Sequence, residues 1–137
     1  MMISTKGRYA LRVMVDLAEN GQGGYVPLKE IAGRQDISLK YLEKILPVLV
    51  RSGMVEGIQG KRGGYRLTVD PEKCRIGDVL RLTEGTLAPV ACLQCGAEPC
   101  ERRSFCRTLP LWEELGQTVS DFLDGKTLAD LIPKTGQ

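Results

Sequence analysis

The 137-residue sequence has no histidine. This removes Ser-His-Asp and Cys-His triads, the His-Glu-x-x-His zinc motif and the readiest general base near neutral pH. Catalysis would have to run on cysteine or carboxylate alone, and the chain is read as not being an enzyme. No run approaches the about 18 to 20 unbroken apolar residues of a membrane-spanning helix. Met1 to Arg12 carries Lys6, Arg8 and Arg12 where a secretory leader would place an apolar core. The expectation is a soluble protein of the cytoplasm with no membrane partner. The first half also lacks cysteine: all five lie from Cys74 onward, four of them between Cys92 and Cys106. Outside a secreted context, such bunching points to metal binding or redox chemistry before a disulfide framework.

What is present is enough for a core. Hydrophobic residues make up 42% of the chain, which suffices for one or two small domains. The net charge of +2 is divided unevenly: residues 1–68 hold 11 Lys and Arg against 6 Asp and Glu, and residues 69–137 hold 8 against 11. The basic half is the side on which a nucleic-acid face is expected, although a charge of this size also fits a solvated surface.

Ser4-Thr5 is a candidate N-cap for a first helix in which Ala10, Val13, Met14, Leu17 and Ala18 recur at helical spacing, with Leu11 and Val15 widening the apolar face. A helix buried so broadly supports a small domain from its centre. Asn20 to Gly24 ends it. A short helix follows over Leu28 to Gln35, burying Leu28, Ile31 and Ala32, then a turn at Asp36-Ile37 and a third helix capped by Ser38. There Leu39, Leu42, Ile45, Leu46, Leu49 and Val50 form the apolar stripe, and Lys40, Tyr41, Glu43, Lys44 and Arg51 point outward. Two helices joined by a tight turn, the second with a polar outer face, make a helix-turn-helix. Pro47 lies inside the third helix, where proline costs roughly 3 kcal/mol, so a bend is expected there.

Two strand-like runs, Met54 to Gln59 and Tyr65 to Val69, flank Gly60-Lys61-Arg62-Gly63-Gly64. A hairpin after a helix-turn-helix is a wing. Two cations between glycines let the backbone approach a phosphodiester chain while Lys61 and Arg62 reach a phosphate or the minor groove. An isolated hairpin of this kind would read equally well as a solvated turn, so its position after the helix-turn-helix decides the matter.

A fourth helix spans Ile76 to Glu84, and Gly85 to Pro89 marks a linker. After the cysteines, Leu111, Leu115, Val119, Phe122 and Leu123, with Trp112 beside them, run at helical spacing to Asp124-Gly125. The stripe has little domain left to bury against, so its expected cover is the same helix of a second copy; folding back on its own domain is the alternative. The fold expected is mainly α with a small β-hairpin wing. Residues 1–84 form a winged helix-turn-helix DNA-binding domain, 85–108 a linker and cysteine-rich sensor loop, and 109–137 a dimerisation helix with its tail. Cys74, isolated after the wing, reads as a plain structural residue and is assigned no role.

Four segments stand in order: Met2-Ile3-Ser4-Thr5-Lys6-Gly7-Arg8-Tyr9-Ala10, Ile37-Ser38-Leu39-x-Tyr41-Leu42-Glu43, Gly63-Gly64-Tyr65-x-Leu67 and Leu123-Asp124-x-x-Thr127-Leu128-x-Asp130-Leu131. Together they resemble the bacterial Rrf-two regulator family over nearly the whole chain. The resemblance implies a homodimer with crossed C-terminal helices, two winged helices reading a palindromic operator in double-stranded DNA, and a cysteine loop ahead of the dimer helix. By position it places Ser38, Lys40, Tyr41 and Glu43, with Lys44 beside them, where the recognition helix meets base edges. It puts Gln59, Lys61 and Arg62 on the wing. Separately from the resemblance, Lys6 and Arg8 at the start of the first helix, with Thr5 beside them, are candidate DNA contacts because their cations suit phosphates. Some members have an arginine where this chain has Gln59. Leu111, Trp112, Leu115, Val119 and Phe122 fall on the dimer interface.

The loop reads Cys92-x2-Cys95-x4-Cys100-x5-Cys106. Thiolates at this spacing suit an iron-sulfur cluster or tetrahedral zinc, both of which take soft sulfur ligands. The resemblance implies Cys100 and Cys106 as two ligands of a two-iron or four-iron cluster, with Cys92 and Cys95 both open as the third. Leu109 stands where some members have a histidine ligand, and Lys6 and Arg8 where others have a carboxylate, so all four loop cysteines are candidates for one cluster. Zinc, a thiol or disulfide switch, and control by a metabolic-enzyme partner are the alternatives on the same DNA-binding frame.

Overall fold

A computed structural model describes residues 3–22, 24–94, 96–98 and 100–134. Helix α1, Thr5–Asn20, starts at Ser4, whose hydroxyl accepts the Gly7 N–H at 3.0 Å. Ala10, Val13, Met14 and Leu17 face the core as their spacing requires. Helix α2, Leu28–Gln35, closes on Asp36, which takes the left-handed conformation at φ 52° that Asp tolerates. Helix α3, Leu39–Arg51, is capped by Ser38, whose Oγ accepts the Tyr41 N–H at 3.1 Å. It continues as one element through an exposed Pro47.

The wing strands are β1, Val55–Ile58, and β2, Gly64–Leu67, paired antiparallel from Val55↔Leu67 to Ile58↔Gly64. Pairing is shorter than the hydrophobic runs suggest, and Gln59 belongs to the tip rather than to β1. Val26 adds a bridge on the other edge of β2, exchanging hydrogen bonds with Tyr65 at 2.7 and 2.9 Å. This anchors the wing to the segment entering α2.

Helix α4, Ile76–Glu84, packs on α1, and α5, Leu109–Asp124, packs on α4. A single core gathers Val13, Met14, Ile31, Leu42, Ile45, Leu46, Leu49 and Val79. Two residues from outside the first 84 complete it: Leu87, and Leu128 in a short 3-10 turn, Leu128–Leu131. The tail is stitched in place by Ile76 N–H to Lys126 O at 2.9 Å and Leu128 N–H to Cys74 O at 2.8 Å.

The expected stripes need two corrections. Leu39 and Val50, read as part of the buried face of α3, are exposed, because the core covers only the line Leu42, Ile45, Leu46 and Leu49. Leu123, grouped with the outer stripe of α5, packs against the core instead. Among the described residues no helix is long and apolar enough to cross a membrane.

Candidate nucleic-acid interface and cysteine loop

The outer face of α3 presents Ser38, Lys40, Glu43 and Lys44 to solvent. Among the described residues Lys40, Glu43 and Lys44 enter no ion pair, so their charged ends carry no intramolecular partner to displace. Tyr41, read from sequence as outward, is half-buried: its ring meets Tyr9 edge-on, centroids 5.3 Å apart at 68°. The Arg12 guanidinium lies 5.0 Å from the Tyr9 centroid on the same helix. Tyr41 therefore ties the start of α3 to α1 as well as standing beside the polar face.

At the wing tip Gln59, Lys61 and Arg62 are exposed. The turn closes through Gly63 N–H to Gly60 O at 2.9 Å, and Gly60 has φ 112°, a conformation side chains disfavour. The wing base is held by a polar cluster that sequence periodicity does not reveal. Tyr25 OH donates to Glu56 Oε1 at 2.9 Å, Arg66 pairs with the same carboxylate, and the Arg66 guanidinium lies 4.8 Å from the Tyr25 ring centroid. The Tyr25 hydroxyl and then Arg66 hold the Glu56 carboxyl below its ordinary range, and the same hydrogen bond raises Tyr25.

Behind the helix-turn-helix, Asp16 of α1 is a buried carboxylate, 1% exposed. It accepts Arg34 Nε and Nη2 at 3.0 and 2.8 Å and Gln35 Nε2 at 2.9 Å. Both carboxylate oxygens are thus hydrogen-bonded to α2, which ties α2 to α1. Its helical position gave no sign of burial, since charged residues are rarely buried unless paired.

In the loop, Cys92 sits on a 3-10 turn, Ala91–Leu93, half-buried; Cys100 is exposed; Cys106 is half-buried just before α5. Cys95 lies outside the described residues. All the described cysteines are free thiols. Cys106 Sγ lies 3.4 Å from Thr108 Oγ1, and that hydroxyl, backbone N–H groups at the start of α5 and the Arg102 charge lower its pKa. Cys74 is buried beneath the tail, and desolvation raises its thiol. Thiolates from a loop fit an iron-sulfur cluster or zinc in donor chemistry. Among the described residues, no three Cys, Asp or Glu side chains are grouped so as to hold a metal ion.

Along α5, Leu111, Leu115 and Phe122 are 57%, 41% and 62% exposed, with Trp112 and Val119 half-buried beside them. Helix-turn-helix, wing and a projecting helix with an open apolar side define a winged-helix transcription regulator. Residues 3–134 match the Rrf2 family, described as an iron-dependent transcriptional regulator, and the chain belongs to that family. It is 39% identical over 132 residues to the HTH-type transcriptional regulator IscR of Aliivibrio salmonicida, covering 96% of this chain and 77% of that one. The solved structure of CymR, the global cysteine regulator of B. subtilis, superposes with a TM-score of 0.76 at 37% identity, covering 96% of this chain and 95% of that one. IscR of T. potens gives 0.74 at 34% identity, covering 96% and 85%. The relatives are transcription regulators rather than enzymes, as the missing histidine led one to expect.

Proposed function

We propose that the chain acts in the cytoplasm as a homodimer on a palindromic operator in double-stranded DNA, with its affinity set by an iron-sulfur cluster at the cysteine loop. The observation that carries this reading is that one chain joins a solvent-facing polar side of α3 and an exposed cationic wing tip to four cysteines in the sequence just ahead of α5. In this reading residues 1–84 are the DNA-binding unit, 85–108 the sensor and 109–137 the dimer element.

Ser38, Lys40, Tyr41, Glu43 and Lys44 meet the major groove; Glu43 supplies an acceptor for a cytosine amine. Gln59, Lys61 and Arg62 meet the backbone or the minor groove, and Thr5, Lys6 and Arg8 meet phosphates at the start of α1. Leu111, Trp112, Leu115, Val119 and Phe122 pack on the partner. Cys100 and Cys106 hold the cluster together with Cys92, Cys95 or both; the cluster supplies reversible one-electron chemistry and sensitivity to oxidants. The protein's own part is to hold those thiols between the winged helix and α5, so that ordering the loop changes how the two wings are held. A coupling of about 1 to 3 kcal/mol in operator affinity is the usual size of such an effect.

The decisive experiment is the visible absorption spectrum of anaerobically purified protein with iron, sulfide and zinc analysis. Iron and sulfide with visible absorption support the reading; one zinc per subunit, no colour and failure to reconstitute overturn it. A second reading, thiol oxidation, is favoured by the lowered Cys106 pKa beside Thr108. It predicts a reversible loss of one or more titratable thiols on mild oxidation, with DNA affinity changing in step. Control by a metabolic-enzyme partner is a third outcome, recognisable as DNA binding indifferent to both cluster and thiol state.

A further inference from the structure

Two carboxylates bind α4 to its neighbours, and each fills the space a glycine leaves. Glu84, the last residue of α4, accepts the Ser4 backbone N–H at 2.9 Å and the Ser4 hydroxyl at 2.7 Å, both on Oε1. Ser4 Oγ in turn accepts Gly7 N–H at 3.0 Å, so the end of α4 and the cap of α1 form one hydrogen-bonded chain. A Cβ on Gly7 would overlap Glu84 Oε1 and stand 3.1 Å from Thr83 Oγ1. Negative charge at the start of a helix also suits the helix dipole. Three residues earlier, Arg81 donates through Nη1 and Nη2 to the Asp124 carboxylate at 2.8 and 3.0 Å, anchoring α4 to the last residue of α5. A Cβ on Gly77 would overlap Asp124 Oδ1.

Thr5, Lys6 and Arg8 follow the Ser4 cap directly, and Gly85 carries the chain from Glu84 into the linker before the cysteines. The helix α4 is thus fixed to α5 at Arg81 and to the first turn of α1 at Glu84. We propose that Glu84 is a positioning residue for DNA binding: through Ser4 it orients the start of α1 so that Lys6 and Arg8 reach the phosphate backbone. The proposal rests on the reading of that first turn as a DNA contact.

The test uses full-length wild type, Glu84→Ala and Glu84→Gln, each with and without Lys6→Ala plus Arg8→Ala. Each is titrated by fluorescence anisotropy into a duplex that the wild type recovers from a randomised pool, over about 50 to 200 mM salt. Glu84→Ala is expected to weaken binding about three- to thirtyfold, the range for changes that act through another residue. Its log-log salt slope becomes shallower by about 0.9 for each phosphate no longer neutralised. Glu84→Gln, which keeps an oxygen for Ser4, recovers most of both. The Lys6 and Arg8 changes then cost less in the Glu84→Ala background than in the wild type.

Melting curves separate this from simple destabilisation. A lower melting temperature with an unchanged slope overturns the positioning role, as does an equal Lys6 and Arg8 effect in both backgrounds, and either result leaves DNA binding itself intact. If those two changes do nothing to wild-type affinity or slope, the α1 contact is wrong and the proposal falls with it. Should Glu84→Ala not fold, Ser4→Ala and Glu84→Gln make the same comparison.

Discussion

Removing Arg34 would strand the Asp16 carboxylate inside the protein with one remaining donor, Gln35 Nε2 at 2.9 Å. Breaking a buried charge pair from one side typically costs about 3 to 5 kcal/mol, because the other charge stays desolvated. Arg34 is 36% exposed while the Asp16 side chain is fully buried, so its removal opens a path for water and the lower end applies. Arg34→Ala is expected to cost about 3 kcal/mol on these grounds. Asp16→Ala takes the buried charge away and leaves Arg34 free to turn into solvent, so it costs less, about 2 kcal/mol for the missing charged hydrogen bonds. The double variant has no stranded charge. It should cost about 3 kcal/mol, leaving a coupling of about 2 kcal/mol between the two positions. At about 4 °C per kcal/mol, Arg34→Ala lowers the melting temperature by roughly 12 °C. Thermal and urea unfolding of the four proteins, at one protein concentration, measure the cycle. Single costs that add within about 0.5 kcal/mol, or an Asp16→Ala more harmful than Arg34→Ala, would refute the account of a buried charge that α2 must neutralise.

The remaining expectations concern the interface, the wing and assembly. Lys61→Ala with Arg62→Ala weakens binding to all duplexes and reduces the salt slope by about 0.9 for every phosphate left without its cation, whereas Glu43→Ala chiefly relaxes sequence preference. Equal weakening on selected and random duplexes for Glu43→Ala contradicts its assignment. Leu115→Asp puts a charge into the exposed stripe of α5 and should convert a dimer to monomers in sedimentation; a wild type that sediments as a monomer on its own removes the basis for the dimer. The Glu56 carboxyl titrates below its ordinary 4.5 when folded, so the stabilisation it gives the wing base is complete above that value and is lost as pH falls through the lower folded one. In an NMR titration Tyr25→Phe should move the Glu56 midpoint back toward 4.5, and an unmoved midpoint would remove Tyr25 as the main cause.

The sequence by itself determined the helices α1 to α4, the caps Ser4 and Ser38, the turn at Asp36 and the glycine-bounded tip of the wing, because each depends on residues within a turn or two. Periodicity and capping are local, and they also marked the polar side of α3 and the open side of α5. Only the tertiary structure decided which parts of those stripes are covered: Leu39 and Val50 fall beyond the reach of the core, while Leu123 falls within it. The return of Leu128 to the core, the Asp16–Arg34 pair, the Tyr25–Glu56–Arg66 cluster and the bond from Glu84 to Ser4, 80 residues away, were equally out of sight. Each is an encounter between residues whose spacing in the chain carries no period, brought together because α1 lies at the centre and α2, α4, β2 and the tail all close around it. A buried carboxylate looks like any surface aspartate until the fold supplies the arginine that makes its burial tolerable.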